Sequence, residues 1–69
     1  MRPIQKNAIE QIRIERKEYE SRTFIDVRQW VIGGSVKDYV PTRKGVTFRE
    51  EYLDSVIQAL NDLRNNTAK

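Results

Sequence analysis

Cations and aromatic rings, rather than catalytic groups, are the residues of this sequence best placed to do chemistry. In "FIDVRQWV", residues 24–31, an extended strand sends successive side chains to opposite faces. Ile25, Val27, Gln29 and Val31 then share one face, and Phe24, Asp26, Arg28 and Trp30 the other. The first is a core face. The second sets two large rings beside a guanidinium and a carboxylate, a mixture suited to contact outside the chain. An indole next to a guanidinium on an open sheet is a platform for an unpaired base, because every base presents a π face. Such stacking contributes about 1–3 kcal/mol by alanine substitution. The alternative is that Trp30 packs at a subunit edge or beneath a loop. Tyr19 is a second candidate platform, or else a strand-end cap.

A second cluster, "TRKG" at 42–45, places Arg43 and Lys44 before Gly45. Arginine forks match phosphate oxygens, lysine supplies a point charge, and glycine lets a backbone come close. The competing explanation is a solvated loop. Histidine and cysteine are absent, so the hydroxyl side chains lack the usual base and no metal-ligand spacing exists. Glu50 and Glu51 adjoin at an expected helix start, where carboxylates favour the dipole, and nothing resembles a Walker loop. The expectation is a protein with no enzymatic activity, no cofactor and no metal.

Charge agrees with an anionic partner. Thirteen basic residues stand against 10 acidic, for a formal net charge of +3, a mild bias compatible with nucleic acid. No apolar run approaches the roughly 20 residues that span a bilayer, and "MRPIQKNAIEQI" lacks the apolar segment of a secretory signal. The chain reads as soluble and intracellular, with no membrane partner.

These side chains must be positioned by a single domain, since the chain has 69 residues. A chain of that size buries only about 60% of its unfolded surface, and small domains add disulfides, a metal or a partner subunit. Here the third route is the one open. Residues 1–8, with Pro3, read as a flexible arm, and 65–69 as a flexible tail, around a domain at 9–64. Beta-branched residues around Ile12 and Ile14 make 9–19 a strand. "ESR" breaks it, and 23–32 forms a second strand ended by Gly33 and Gly34, which accept the backbone of a hairpin turn. Residues 35–40 read as a short third strand or an extended arm, held to an edge by Pro41. Gly45 marks a bend or bulge, and Val46 opens a further element. "TFRE" is a capping box between Thr47 and Glu50, predicting a helix over 48–64. The order indicates an α+β fold, the helix covering one face of an antiparallel sheet.

The apolar positions of that helix spread over roughly 180° at about 100° per residue, whereas packing on a single sheet needs about 100° or somewhat more. Tyr52, Leu53, Val56, Ile57 and Leu60 are therefore available to a second copy of the chain, as the self-complementary patch of a two-fold dimer. The alternative is that Tyr52 or Ile57 simply sits half exposed, as many apolar side chains do.

Taken jointly, "FIDVRQW", "PTRKGVTF" and the terminal amphipathic helix resemble the C-terminal domain of the transcriptional coactivator called positive cofactor four and its small bacterial or phage relatives, over residues 12–63. The resemblance implies a curved four-stranded antiparallel sheet followed by one helix, a homodimer through the helices, and single-stranded DNA across the outer sheet. Residue by residue, it implies that Arg28 contacts DNA and that Arg43 and Lys44 are the basic pair of the "RKG" turn. Tyr19 falls at a stacking aromatic before the second strand, and Arg22 near a basic position of the hairpin. Two features depart from the family. Its tryptophan lies one place later, at Val31 here, so Trp30 takes that role only where a bulge or twist re-aims it. The first strand is also more acidic, with Glu10, Glu15, Glu18 and Glu20.

The expected function is a homodimeric, largely sequence-independent binder of single-stranded DNA, serving as a transcription cofactor or a replication or repair accessory. Arg28, Arg43, Lys44, Arg22 and Lys17 would hold phosphates, and Trp30, Tyr19 and Phe24 would stack on bases. RNA and, more weakly, duplex DNA are further expected partners. The setting is the bacterial cytoplasm at the nucleoid, or the nucleus of a eukaryote. A protein-interaction module using the same face, with Trp30 and Phe24 as anchors, and an RNA chaperone are the alternatives.

Overall fold

The computed structural model describes residues 3–34 and 37–66. Strands β1 (Ile4–Gln5), β2 (Glu10–Tyr19), β3 (Arg22–Val31) and β4 (Val40–Arg49) form one antiparallel sheet in chain order. A 3₁₀ turn, Glu50–Tyr52, then leads into helix α1, Leu53–Asn65. The α+β class and the four-stranded sheet with one closing helix are as the sequence implies.

The β2–β3 hairpin sets the register. Its loop is Glu20 and Ser21, both in the left-handed region at φ 49° and 66°, the conformation whose twist matches that of the flanking strands. Tyr19 consequently pairs with Arg22, and the ladder runs without interruption to Glu10 opposite Val31. The break is thus two residues long, and Arg22 belongs to the strand.

Segment 1–8 is not wholly an arm. Asn7 builds a turn by accepting hydrogen bonds at Oδ1 from the amides of Ile9 and Glu10, both at 3.0 Å. That turn folds Ile4 and Gln5 back onto Ile12 and Gln11. Two residues are too few to show a strand period, so the sequence gives no sign of β1.

Beyond β3, the two short segments expected at 35–40 and from 42 onward resolve differently. Val40 to Arg49 is one strand on the sheet edge, where Pro41 costs no ladder bond, and residues 35 and 36 lie outside the described residues. Arg28 pairs with Gly45 and Trp30 with Pro41, so Thr42, Arg43 and Lys44 stand opposite Gln29 alone. This is a β-bulge with more than one extra residue. Thr42 holds it together: its Oγ1 donates to the Gln29 carbonyl at 2.9 Å and accepts from the Lys44 amide at 3.1 Å.

The capping box does not form. Thr47 stays in β4 opposite Asp26, and the pairing continues through Phe48 with Ile25 and Arg49 with Phe24. Glu50 accepts from Arg16 Nε at 3.1 Å instead, and neither the 3₁₀ turn nor α1 has a side-chain cap. Ladder pairing of Thr47, Phe48 and Arg49 with β3 outweighs a local cap, and the α-helix starts five residues later than predicted.

The helix also does not lie across the sheet. The 3₁₀ turn packs at the end of β3, and Leu53, at the helix start, shares a shallow cleft with Ile14, Arg16 and Ile25. Beyond it α1 buries no residue. Because β4 stays paired to Arg49, the helix starts at the end of the sheet rather than above it. The predicted tail overlaps the last helical turn, which extends to Asn65, while residues 67–69 lie outside the described residues. Among the described residues only Ile25 and Asp26 are fully buried, and no helix is long and apolar enough to cross a membrane.

Candidate nucleic-acid interface

Directly paired residues on antiparallel strands share a face, so the ladder divides the sheet. Ile4, Ile12, Ile14, Ile25, Val27, Val46 and Phe48 mark the apolar side. On the other side, successive cross-strand rows read Tyr19–Arg22, Lys17–Phe24–Arg49, Glu15–Asp26–Thr47, Arg13–Arg28–Gly45 and Gln11–Trp30–Pro41. Rows follow one another about every 6.8 Å along a strand. Cations outnumber carboxylates on this side, with Arg13, Lys17, Arg22, Arg28 and Arg49 against Glu15 and Asp26.

Asp26 is the anchor of the face. It is 1% exposed, and a carboxylate at that depth must be paired. Arg28 Nε lies 3.2 and 3.3 Å from its two oxygens, Nη2 donates to Oδ1 at 3.0 Å, and Lys17 Nζ stands 3.7 Å from Oδ2. Arg28 Nη1 reaches across to the Thr42 carbonyl at 2.9 Å. One chain of polar contacts therefore runs from Asp26 through Arg28 into the bulge that carries Arg43 and Lys44. Guanidinium has five N–H donors, so Arg28 keeps one unused donor on each terminal nitrogen after these bonds.

The expected phosphate ligands separate into two groups. Lys17, Arg22 and Arg28 share the polar face, while Arg43 and Lys44 are exposed on the bulge of β4, where Lys44 lines a shallow cleft with Ile12, Val27 and Val46 of the apolar side. Tyr19 is 67% exposed beside Arg22, and Phe24 is half-buried between Lys17 and Arg49. Trp30 is on the same face, but its ring is covered: the Arg13 guanidinium carbon lies 4.3 Å from the ring centroid. The same group is 5.4 Å from the Tyr39 ring. Of the residues expected at a dimer contact, Tyr52, Ile57 and Leu60 are exposed and Leu53 and Val56 are half-buried.

Arg13, Arg49 and Tyr39 are the members of this face that sequence reasoning misses. Alternation along β2 sets Arg13 on the face of Lys17 and Tyr19, but its opposition to Arg28 follows from the two-residue loop at Glu20–Ser21, which a three-residue break at "ESR" hides. Arg49 falls inside the predicted helix and so lies hidden behind the capping-box pattern. It lines a cleft of about 520 Å³ with Arg22, Thr23, Glu50 and Glu51, and Glu51 Oε1 is 3.9 Å from its Nη1.

Comparison with known proteins agrees with the fold. The family model of transcriptional coactivator p15 (PC4) matches residues 6–59. A crystal structure of a PC4 homologue from Burkholderia pseudomallei, in an orthorhombic form, is 38% identical, with a TM-score of 0.85 over 96% of this chain and 88% of that one. A tetragonal form of the same protein is 42% identical, with a TM-score of 0.78 over 87% of each chain. The bacteriophage T5 homologue of the eukaryotic coactivator PC4, implicated in recombination-dependent DNA replication, shares the fold at 18% identity. Its TM-score is 0.78 over 97% of this chain and 80% of that one. No curated protein matches the sequence.

Proposed function

The chain belongs to the transcriptional coactivator p15 (PC4) family, and from that premise we propose that it is a homodimeric protein that binds single-stranded DNA with little sequence preference. The observation that carries this reading is the polar face of the sheet, where Tyr19–Arg22 and Lys17–Phe24–Arg49 alternate rings with cations in adjacent rows. Phosphates are held by Lys17, Arg22 and the unused donors of Arg28, with Arg43 and Lys44 at the margin. Such contacts position a strand without reading its sequence. Bases stack on Tyr19 and Phe24, which tolerate any base. A duplex hides its π faces, so it competes poorly. The apolar stripe of α1, exposed in one chain, is covered by a second copy. The protein acts where strands are unpaired, at melted promoters, replication forks or repair intermediates, and so at the nucleoid of a bacterium.

Titration of labelled 20-mer single-stranded and duplex DNA, followed by anisotropy over a salt series, tests this. About four phosphates neutralised per chain give a slope of log K against log salt near about −3 per chain engaged. Preferential single-strand binding with that slope supports the proposal. Salt-insensitive capture of a protein partner without DNA binding would replace it with an interaction module, and equal affinity for matched RNA with an RNA chaperone.

A further inference from the structure

We propose that Arg13 is a phosphate ligand of the strand-binding face and that Trp30 is the support that orients it, not a platform for a base. The inference rests on the single-strand reading above and assigns roles which that reading leaves open.

Arg13 and Arg28 are directly opposed across β2 and β3. Like charges at such positions destabilise a sheet. Arg28 is compensated by Asp26, which Lys17 also approaches, and Glu15 on the same face turns toward Lys17 at 3.9 Å. None of the ion pairs among the described residues includes Arg13. Its charge is held by a ring instead: Trp30 is its diagonal neighbour on β3, and the guanidinium lies 4.3 Å from the indole centroid. Cation–π contact attracts the charge without neutralising it.

Polar bonds fix the same group in its plane. Arg13 Nε donates to Gln11 Oε1 at 3.0 Å, Gln11 Nε2 to Gln5 Oε1 at 2.8 Å, and Gln5 Nε2 to the Tyr39 hydroxyl at 3.1 Å. The frame draws on β1, β2 and the approach to β4. It engages Nε and leaves the donors of Nη1 and Nη2 without a protein acceptor among the described residues. Arg28, opposite Arg13, leans the other way, onto Asp26 and the Thr42 carbonyl. A planar guanidinium that is oriented by a ring, uncompensated by a carboxylate and free at both terminal nitrogens is a fork for phosphate oxygens. A base stacking on the covered side of Trp30 would have to displace Arg13 and break this frame. That explains why an indole on this face is not a spare platform.

The test is the binding of a labelled single-stranded 20-mer to the full chain carrying Arg13→Gln, Arg13→Lys, Trp30→Phe, Trp30→Leu and the Arg13→Gln/Trp30→Leu pair, with circular dichroism as a check of fold. Arg13→Gln is expected to weaken binding roughly threefold to tenfold and to make the salt slope shallower by about 0.7 per chain. Arg13→Lys should recover the slope but not the full affinity, because lysine keeps the charge and loses the planar fork. Trp30→Phe should keep a ring beneath Arg13 and weaken binding less than the ringless leucine variant does. Trp30→Leu should weaken binding, and the pair should bind no more weakly than Arg13→Gln alone, since coupled residues are not additive. An Arg13→Gln protein with unchanged slope, or tighter binding, overturns the inference. So does full additivity of the pair, which would make Trp30 an independent base platform. If the parent chain itself binds no single strand, the functional reading fails, an outcome distinct from an inert Arg13.

Discussion

A Cβ placed on Gly45 would lie 2.7 Å from the Val27 carbonyl oxygen and 2.9 Å from Arg28 Cα. Both are backbone atoms of β3, so neither can step aside as a flexible side chain would. The glycine is required where β4 closes on β3 again after the bulge, and it thereby places Arg43 and Lys44. Gly45→Ala should push the strands apart at Arg28, with a cost of about 1–3 kcal/mol. A lower urea midpoint with an unchanged m value, together with weaker single-strand binding, is the expected result. An unchanged midpoint would show that the bulge adapts freely. The sequence makes it legible that some backbone approaches Gly45 closely. It does not reveal that the backbone is the protein's own, because that depends on register. Arg28 has the same history. Alternation puts it on the open face beside Asp26, but the burial of Asp26 and the bond to the Thr42 carbonyl depend on β4, whose course is set by contacts distant in sequence.

At the scale of elements, the turn that fixes the register is built from poorly suited residues. Glu20 and Ser21 both hold positive φ, where a residue with a Cβ is strained by roughly 1–2 kcal/mol, and the preferred pair for such a loop is Asn-Gly. Replacing them by Glu20→Asn and Ser21→Gly should stabilise the domain by about 1 kcal/mol, raising Tm by about 4–8 °C for a chain of this size. Single-strand affinity should be unchanged, since every cross-strand row is preserved. A flat or lowered Tm would mean that the strain is relieved elsewhere in the hairpin. The long strands β2 and β3 are legible from branched residues and alternation, which are local properties. What fails locally is the start of the helix. "TFRE" meets every requirement of a capping box, yet the pairing of Thr47, Phe48 and Arg49 with Asp26, Ile25 and Phe24 holds those three residues extended. Strand β1 is invisible for the opposite reason: two residues carry no period, and its existence depends on Asn7 turning the chain.

The whole molecule spreads its apolar surface instead of enclosing it. The described residues extend 40 × 40 × 18 Å, Ile25 is the one buried hydrophobic residue among them, and Ile14, Val46, Ile57, Leu60 and Leu63 are exposed at 43, 57, 48, 60 and 70%. So little burial cannot offset a conformational entropy cost of about 1–2 kcal/mol per residue. The excess width of the helix stripe, legible in the sequence, has its counterpart in an uncovered apolar sheet face, which is not. A second copy covering both would leave the two polar faces outward, because strand alternation sets apolar and cationic residues on opposite sides of the sheet. Sedimentation equilibrium should therefore give twice the chain mass, and Tm should rise with protein concentration. Leu60→Asp should shift the protein to monomer with loss of the folded signal. The milder Leu60→Ala should lower Tm at micromolar concentration and reduce affinity for long single strands more than for short ones, since only long strands engage both faces at once. A parent chain that sediments as a folded monomer, with Tm independent of concentration, would show that the exposed stripe serves something other than its own copy.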